Sequence, residues 1–146
     1  MIPLQRSATA RSVVVDASAM VDVLTGQPNR EGLVGLLLGD GTALHVPAFF
    51  DLEVVSVARR LELAGRLTAR RADELLADFA DLGISRHSLP PLTARVWSLR
   101  DWVRVADAYY VSLAEALEVP LLTTDLLLAR AVRDREVVEV LDLDER

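Results

Sequence analysis

Short apolar runs alternate with longer amphipathic stretches along this chain, and that alternation predicts its elements. Ser12–Val15 is apolar and β-branched and reads as a buried strand. Ala17–Leu24 follows as a helix stopped near Gly26 and Pro28, and Arg30–Leu38 as a second, stopped by Gly39-Asp40-Gly41. Ala43–Val46 is a short strand. Pro47 suits the first turn of a helix running to about Ala64, with Gly65 at its C-terminal cap. Thr68 can cap the helix Ala69–Leu82, which Gly83 closes. Ile84–Leu89 reads as a strand, and Leu92–Val103 and Ala106–Leu117 as helices. Pro120 introduces a strand over Leu121–Thr123, Leu126–Asp134 is helical, and Val137–Leu141 is a last strand. Strands alternating with helices imply the α/β class, a mainly parallel sheet covered on both faces. With no internal repeat, low-complexity segment or linker, residues 12–146 read as a single domain, and residues 1–11 as a flexible extension before it.

Composition narrows the chemistry. A chain of 146 residues, 51% of them hydrophobic, can bury roughly two thirds of its unfolded surface and needs no staple. Its lack of cysteine removes thiol nucleophiles, thiolate metal sites and disulfides, and two histidines, His45 and His87, disfavour an imidazole-rich centre. Any metal must be held by oxygen, which favours Mg²⁺ or Mn²⁺ over Zn²⁺. No apolar run approaches the ~20 residues of a membrane span. The opening MIPLQRSATARS lacks the apolar core of a signal peptide, so the expectation is a cytoplasmic protein with no membrane partner. A net charge of −6 runs against a nucleic-acid binder, for which a basic surface is the rule. Yet all 16 basic residues are arginine, which contacts phosphate bidentately. A GC-rich genome accounts for the same bias.

The acids fall in a pattern. Ligands of open α/β sheets bind beyond the carboxyl ends of the strands. Asp16 directly follows Val13-Val14-Val15, and Asp125 directly follows Leu121-Leu122-Thr123-Thr124. Asp107 lies in the first turn of the helix Ala106–Leu117. Each of these three opens a helix, so each alone reads as a cap before it reads as a ligand. Glu53 resists that reading. It sits mid-helix with Phe49, Phe50 and Val57 on its own face, where an unpaired carboxylate is costly to bury. An arginine partner, a solvent-reaching tip or a metal site would each satisfy it. Together the four would repel one another and call for a cation. Bound Mg²⁺ activates water and stabilises a phosphodiester transition state.

The chain resembles the PIN-domain ribonucleases, specifically the toxins of virulence-associated (VapBC-type) toxin–antitoxin modules. The carrying segments are Val13–Ala19, Pro47–Val54, Val105–Ala114 and Pro120–Asp125, in order and at family-like spacing. The resemblance implies a three-layer α/β/α fold with a central mainly parallel sheet. It implies Mg²⁺- or Mn²⁺-dependent endonucleolytic cleavage of RNA by an acidic quartet matching Asp16, Glu53, Asp107 and Asp125. Asp16 and Asp107 would be the most direct metal ligands, with Glu53 and Asp125 acting directly or through water. Ser18 and Thr124 match hydroxyl positions that support the site, although helix capping suits Ser18 as well. The resemblance further implies a homodimer and a cognate VapB-like antitoxin. The antitoxin would carry the DNA-binding part and place an arginine among the acids. Ser56 departs from the family, standing where an Asn often follows the helical Glu, and the extension before Ser12 is longer than in many relatives.

Other acid-bearing α/β proteins fit less well. A phosphate-accepting receiver domain needs a lysine, and there is none. A haloacid-dehalogenase-type phosphatase wants Asp at position 18, where Ser18 stands, and a von Willebrand-type metal-adhesion motif wants a hydroxyl at position 20, where Met20 stands. Two rivals share the fold: a catalytically silent binding or scaffold module, and a structure-specific DNA nuclease. The intact quartet argues against the first, and the small size without substrate-threading insertions against the second. Arg59, Arg60, Arg66, Arg70 and Arg71 read either as RNA contacts or as a solvated surface paired with Glu62, Asp73 and Glu74. Leu75, Leu76 and Phe79 read as core or dimer surface. Trp97 and Trp102 carry the same plain reading, with base stacking as the alternative. Neither histidine is given a catalytic role.

Overall fold

The computed structural model describes residues 11–28, 31–39 and 41–141. Asp40 and most of the N-terminal extension lie outside the described residues, as do Arg30 and residues 142–146. The described elements run β1 (Arg11–Val15), α1 (Ala17–Leu24), α2 (Glu31–Leu38), β2 (Thr42–Pro47), α3 (Phe50–Leu63), α4 (Ala69–Ala80) and β3 (Ile84–His87). A 3-10 turn (Pro90–Leu92) leads to α5 (Thr93–Ser98), then α6 (Val105–Leu117), β4 (Leu121–Leu122), α7 (Leu126–Asp134) and β5 (Val140–Leu141).

All five described strands are parallel, in the order β3-β2-β1-β4-β5. β1 is central because its run Val13-Val14-Val15 is apolar on both faces, and all three side chains are wholly buried. It pairs with β2 through Val14 and His45, and with β4 through Val15 and Leu122. α1, α3 and α4 pack on one another, while α6 crosses β1, β2 and β4 with α5 on its back. Right-handed crossovers place these groups on opposite faces, which is the three-layer α/β/α arrangement. Phe50, Val54, Met20, Leu75 and Tyr110 fill the space between helices and sheet. Leu75 and Phe79 are core and Leu76 packs against it, so the plain reading of that stripe holds.

The strand order carries the functional consequence. From β1 the chain steps to β2 and β3 on one side, and later to β4 and β5 on the other. The reversal falls between β1 and β4, so a crevice opens at their carboxyl ends.

Several boundaries differ from the sequence pattern. Pro47 closes β2 instead of opening α3. Its fixed φ suits a strand end as well as a helix start, and the Ala48 N–H bonds the His87 carbonyl at 2.8 Å. The apolar spacing Leu92, Val96, Leu99, Val103 marks one buried face, but not one continuous helix. The backbone after α5 tightens into bonds three residues back, from Leu99 to Val96, Arg100 to Trp97, and Trp102 to Leu99. β3 stops at His87, and β5 shrinks to Val140–Leu141. Gly65, at φ +71, makes the left-handed turn after α3 that its position called for.

Candidate active site

The four acids come from four elements and line one cleft of about 400 Å³ at the carboxyl end of the sheet. Ser18, Ser56, Arg60, Arg104 and Tyr110 share its wall. Another cavity, about 350 Å³, lies beside Pro120 and Glu139 at the amino ends of β4 and β5, the end where such sheets do not bind ligands.

Asp16 is the N-cap of α1 and is 6% exposed. Its Oδ1 accepts from the Ala19 N–H at 2.9 Å and the Ser18 hydroxyl at 2.8 Å, and its Oδ2 accepts from the Thr123 hydroxyl. Burial pushes its carboxyl up to about 6; the three donors oppose that, and the Asp107 charge adds to it. Thr124 donates to the Ser18 hydroxyl at 3.1 Å, so a ladder of hydroxyls runs from β4 to Asp16. Asp16 is therefore a cap as well as a candidate site residue, while Ser18, inside α1, is not the cap the sequence allowed and instead supports Asp16 through its hydroxyl.

Asp107 stands in the first turn of α6. Burial raises its carboxyl and the Asp125 charge adds to this, while Arg104, 3.5 Å away, opposes both. Asp125 caps α7, its Oδ1 accepting from the Leu127 and Leu128 N–H groups at 3.0 and 3.1 Å. Its own N–H donates to the Thr123 hydroxyl at 3.0 Å.

Glu53 is half-buried in the first turn of α3 and not mid-helix, because the helix begins at Phe50 and not at Pro47; its partner is a tyrosine instead of an arginine. The Tyr110 hydroxyl donates to Glu53 Oε1. Tyr110 is itself 1% exposed, and burial, followed by the hydrogen bond to Glu53 and then by the Glu53 charge, holds its phenol well above the ordinary range. Phe49 meets the Tyr109 and Tyr110 rings edge-on, both at 5.6 Å, which ties α3 to α6 beside the cleft.

Two residues of this constellation escape a sequence reading. Tyr110 lies within an apolar helical run and looks like core. Thr123 extends the strand Leu121-Leu122 and looks like one more β-branched residue. The structure shows its hydroxyl fully buried beside the end of the central strand, where it needs a partner. The basic cluster divides. Arg60 reaches the cleft, whereas Arg70 and Arg71 pair with Glu74, as the solvated reading expected. Trp97 is 64% exposed beneath Arg100, and Trp102 is half-buried beneath Arg135, each 4.3 Å from its guanidinium. His45 and His87 bond each other at 2.9 Å.

The donor set has the chemistry of a hard divalent cation: all oxygen, with neighbouring charges that raise one another's carboxyls. Among the described residues no three acid or histidine side chains form a ready-made metal cage in this conformation. Their oxygens are turned instead toward Ser18, Ala19, Thr123, Tyr110 and the first turn of α7.

A three-layer α/β/α domain with acids gathered at the β1/β4 switch point defines a class, and the comparisons agree. The chain matches the PIN domain family over residues 13–134, and it belongs to that family. Within it, the relatives are of the VapC type. The chain is 48% identical over 119 residues to Ribonuclease VapC3 of Mycobacterium tuberculosis, spanning 82% of this chain and 86% of that one. It is 35% identical to Ribonuclease VapC12 of the same species, over 82% of this chain and 91% of that one. The fold is also that of VapBC2 from Rickettsia felis, solved bound to a DNA fragment from its promoter. The TM-score there is 0.66 at 12% identity, covering 91% of this chain and 99% of that one. FitAcB from Neisseria gonorrhoeae superposes with a TM-score of 0.64 at 18% identity, over 92% and 99% of the two chains.

Proposed function

We propose that this chain is the toxin of a type II toxin–antitoxin module, and that it hydrolyses RNA phosphodiesters as a metal-dependent endoribonuclease. The observation that carries this reading is the gathering of Asp16, Glu53, Asp107 and Asp125, from four separate elements, around one cleft at the topological switch point. The 48% identity to a protein named a ribonuclease supports the activity. The likeness to VapBC2 supports a VapB-like antitoxin as partner. No described helix is long and apolar enough to cross a membrane, which accords with action in the cytoplasm.

Mg²⁺ is the proposed cofactor, with Mn²⁺ as a substitute. Asp16 and Asp107 hold it most directly, and Glu53 and Asp125 act directly or through water. Bound there, a divalent ion would supply Lewis-acid chemistry, activating water and offsetting charge on the phosphodiester. The remaining work belongs to the chain. Ser18, Ala19 and Thr123 fix Asp16, and Tyr110 fixes Glu53. Arg60 and Arg104, on the wall of the cleft, offer guanidinium groups to the RNA backbone. The working form is a homodimer, and the antitoxin silences it by placing an arginine among the acids.

The test is cleavage of RNA by protein freed of any partner. Cutting should vanish in EDTA and return with Mg²⁺ or Mn²⁺. Asp16→Asn and Asp107→Asn should each abolish it with the fold intact by circular dichroism. Wild-type rates in either variant would discard the assigned site. If RNA were neither cut nor bound with any metal, a silent scaffold would replace the nuclease.

A further inference from the structure

Beside the acid cleft lies a second cavity of about 310 Å³, lined by Trp102, Val103, Arg104, Asp107, Asp125, Leu127, Leu128 and Ala131. Arg104, Asp107 and Asp125 also line the acid cleft, so the two spaces adjoin across these side chains. The far wall is apolar. Val103 and Leu128 are buried, Trp102 and Ala131 are half-buried, and Leu127 stands 78% exposed at the rim. Arg104 belongs to the wall the two spaces share. Its side chain is 85% exposed, and its contact to Asp107 is a long one of 3.5 Å, a pairing weak enough to yield to a phosphate.

We propose that this cavity seats one nucleobase of the RNA, that of a nucleotide flanking the scissile phosphate, and so contributes to sequence preference. The inference rests on the nuclease reading above. A phosphodiester held at the acids carries its bases only one sugar away, and the apolar cavity is the neighbouring space. Its volume lies at the small end of ligand pockets, which suits a single planar base and not a dinucleotide. Arg104 completes the match, with cationic charge for the backbone beside an apolar wall for the base.

The test compares wild type, Leu127→Ala and Ala131→Phe on a single-stranded RNA oligonucleotide and on bis(4-nitrophenyl) phosphate, which has no base. Leu127 is exposed and its truncation leaves the core untouched, while Ala131→Phe fills the cavity. Both variants should raise KM for RNA by about tenfold or more with kcat held, as expected for losing a base contact. Both should treat the small phosphodiester as wild type does. An abasic residue next to the cut should raise KM of the wild type by the same factor, and add nothing further in Ala131→Phe. Unchanged KM in both variants overturns the proposal. So does unchanged KM with weakened inhibition by an antitoxin tail, which would assign the cavity to a protein side chain. A wild-type protein that cleaves neither substrate refutes the nuclease reading itself, a result distinct from either.

Discussion

The Thr123 hydroxyl, wholly buried at the end of β4, donates to Oδ2 of Asp16 at the end of β1, one strand away. The Thr123 hydroxyl oxygen in turn accepts the Asp125 N–H at 3.0 Å. One threonine thus joins two acids that are 109 positions apart in sequence. It does so because β1 and β4 pair in parallel with Val15 beside Leu122, which brings the residues just past each strand together.

Thr123→Val keeps the shape and removes that donor. The Asp16 carboxyl already stands near 6 because burial outweighs its three hydrogen bonds, and Thr123 is the foremost of the groups holding it down. In the metal-free variant the carboxyl should titrate at higher pH than in the wild type, followed by carbon-13 NMR of the side-chain carboxyl. The lost bond should also cost about 1–3 kcal/mol of stability in urea unfolding. A melting loss with an unmoved titration would show that Thr123 merely packs.

Burial of Asp16 also sets a direction for stability against pH. Between about 4 and about 6 the folded chain keeps a proton that the unfolded chain has released, so stability falls as pH rises through that window. The full shift corresponds to about 3 kcal/mol without metal. Asp16→Asn removes the Asp16 share of this dependence, leaving the smaller one from the raised Asp107 carboxyl, and should melt above the wild type at pH 7 in EDTA, and below or level with it at pH 4. Saturating Mg²⁺ should raise wild-type stability, by about 2.7 kcal/mol at a hundred times Kd, and leave the variant unmoved. A loss with pH as large in the variant as in the wild type, scanned by differential calorimetry, would contradict the role of Asp16 in it.

Tyr110→Phe separates packing from positioning. The ring contacts to Phe49 and Phe50 survive, and only the hydroxyl that holds Glu53 Oε1 is lost. Stability should drop by about 1 kcal/mol. Cleavage should fall more than this, through kcat with KM unchanged, because a released Glu53 no longer stays aimed into the cleft. Steady-state kinetics on RNA under saturating Mg²⁺ would decide it, and a wild-type kcat would reduce Tyr110 to a core residue.

The legible parts of this fold were those where one physical signal dominated. The triple valine of β1 is apolar on both faces, which only a central strand satisfies. Glu53 on an apolar helical face announced a buried carboxylate in need of a partner. Ambiguity entered where one residue serves two geometries. Pro47 fits a strand end or a helix start, and the spacing from Leu92 to Val103 fits any backbone that keeps returning to the core.

The sequence by itself determined that the chain is α/β and that its acids flank strand ends and helix starts. Periodicity and capping are local properties, set by residues within a turn or two of one another. Only the tertiary structure decided that Asp16 and Asp125 meet at one switch point, that the partner of Glu53 is Tyr110, and that Thr123 binds Asp16. Those facts follow from strand order and from the meeting of α3 with α6. Both arise from packing between segments distant in sequence, which no local pattern encodes.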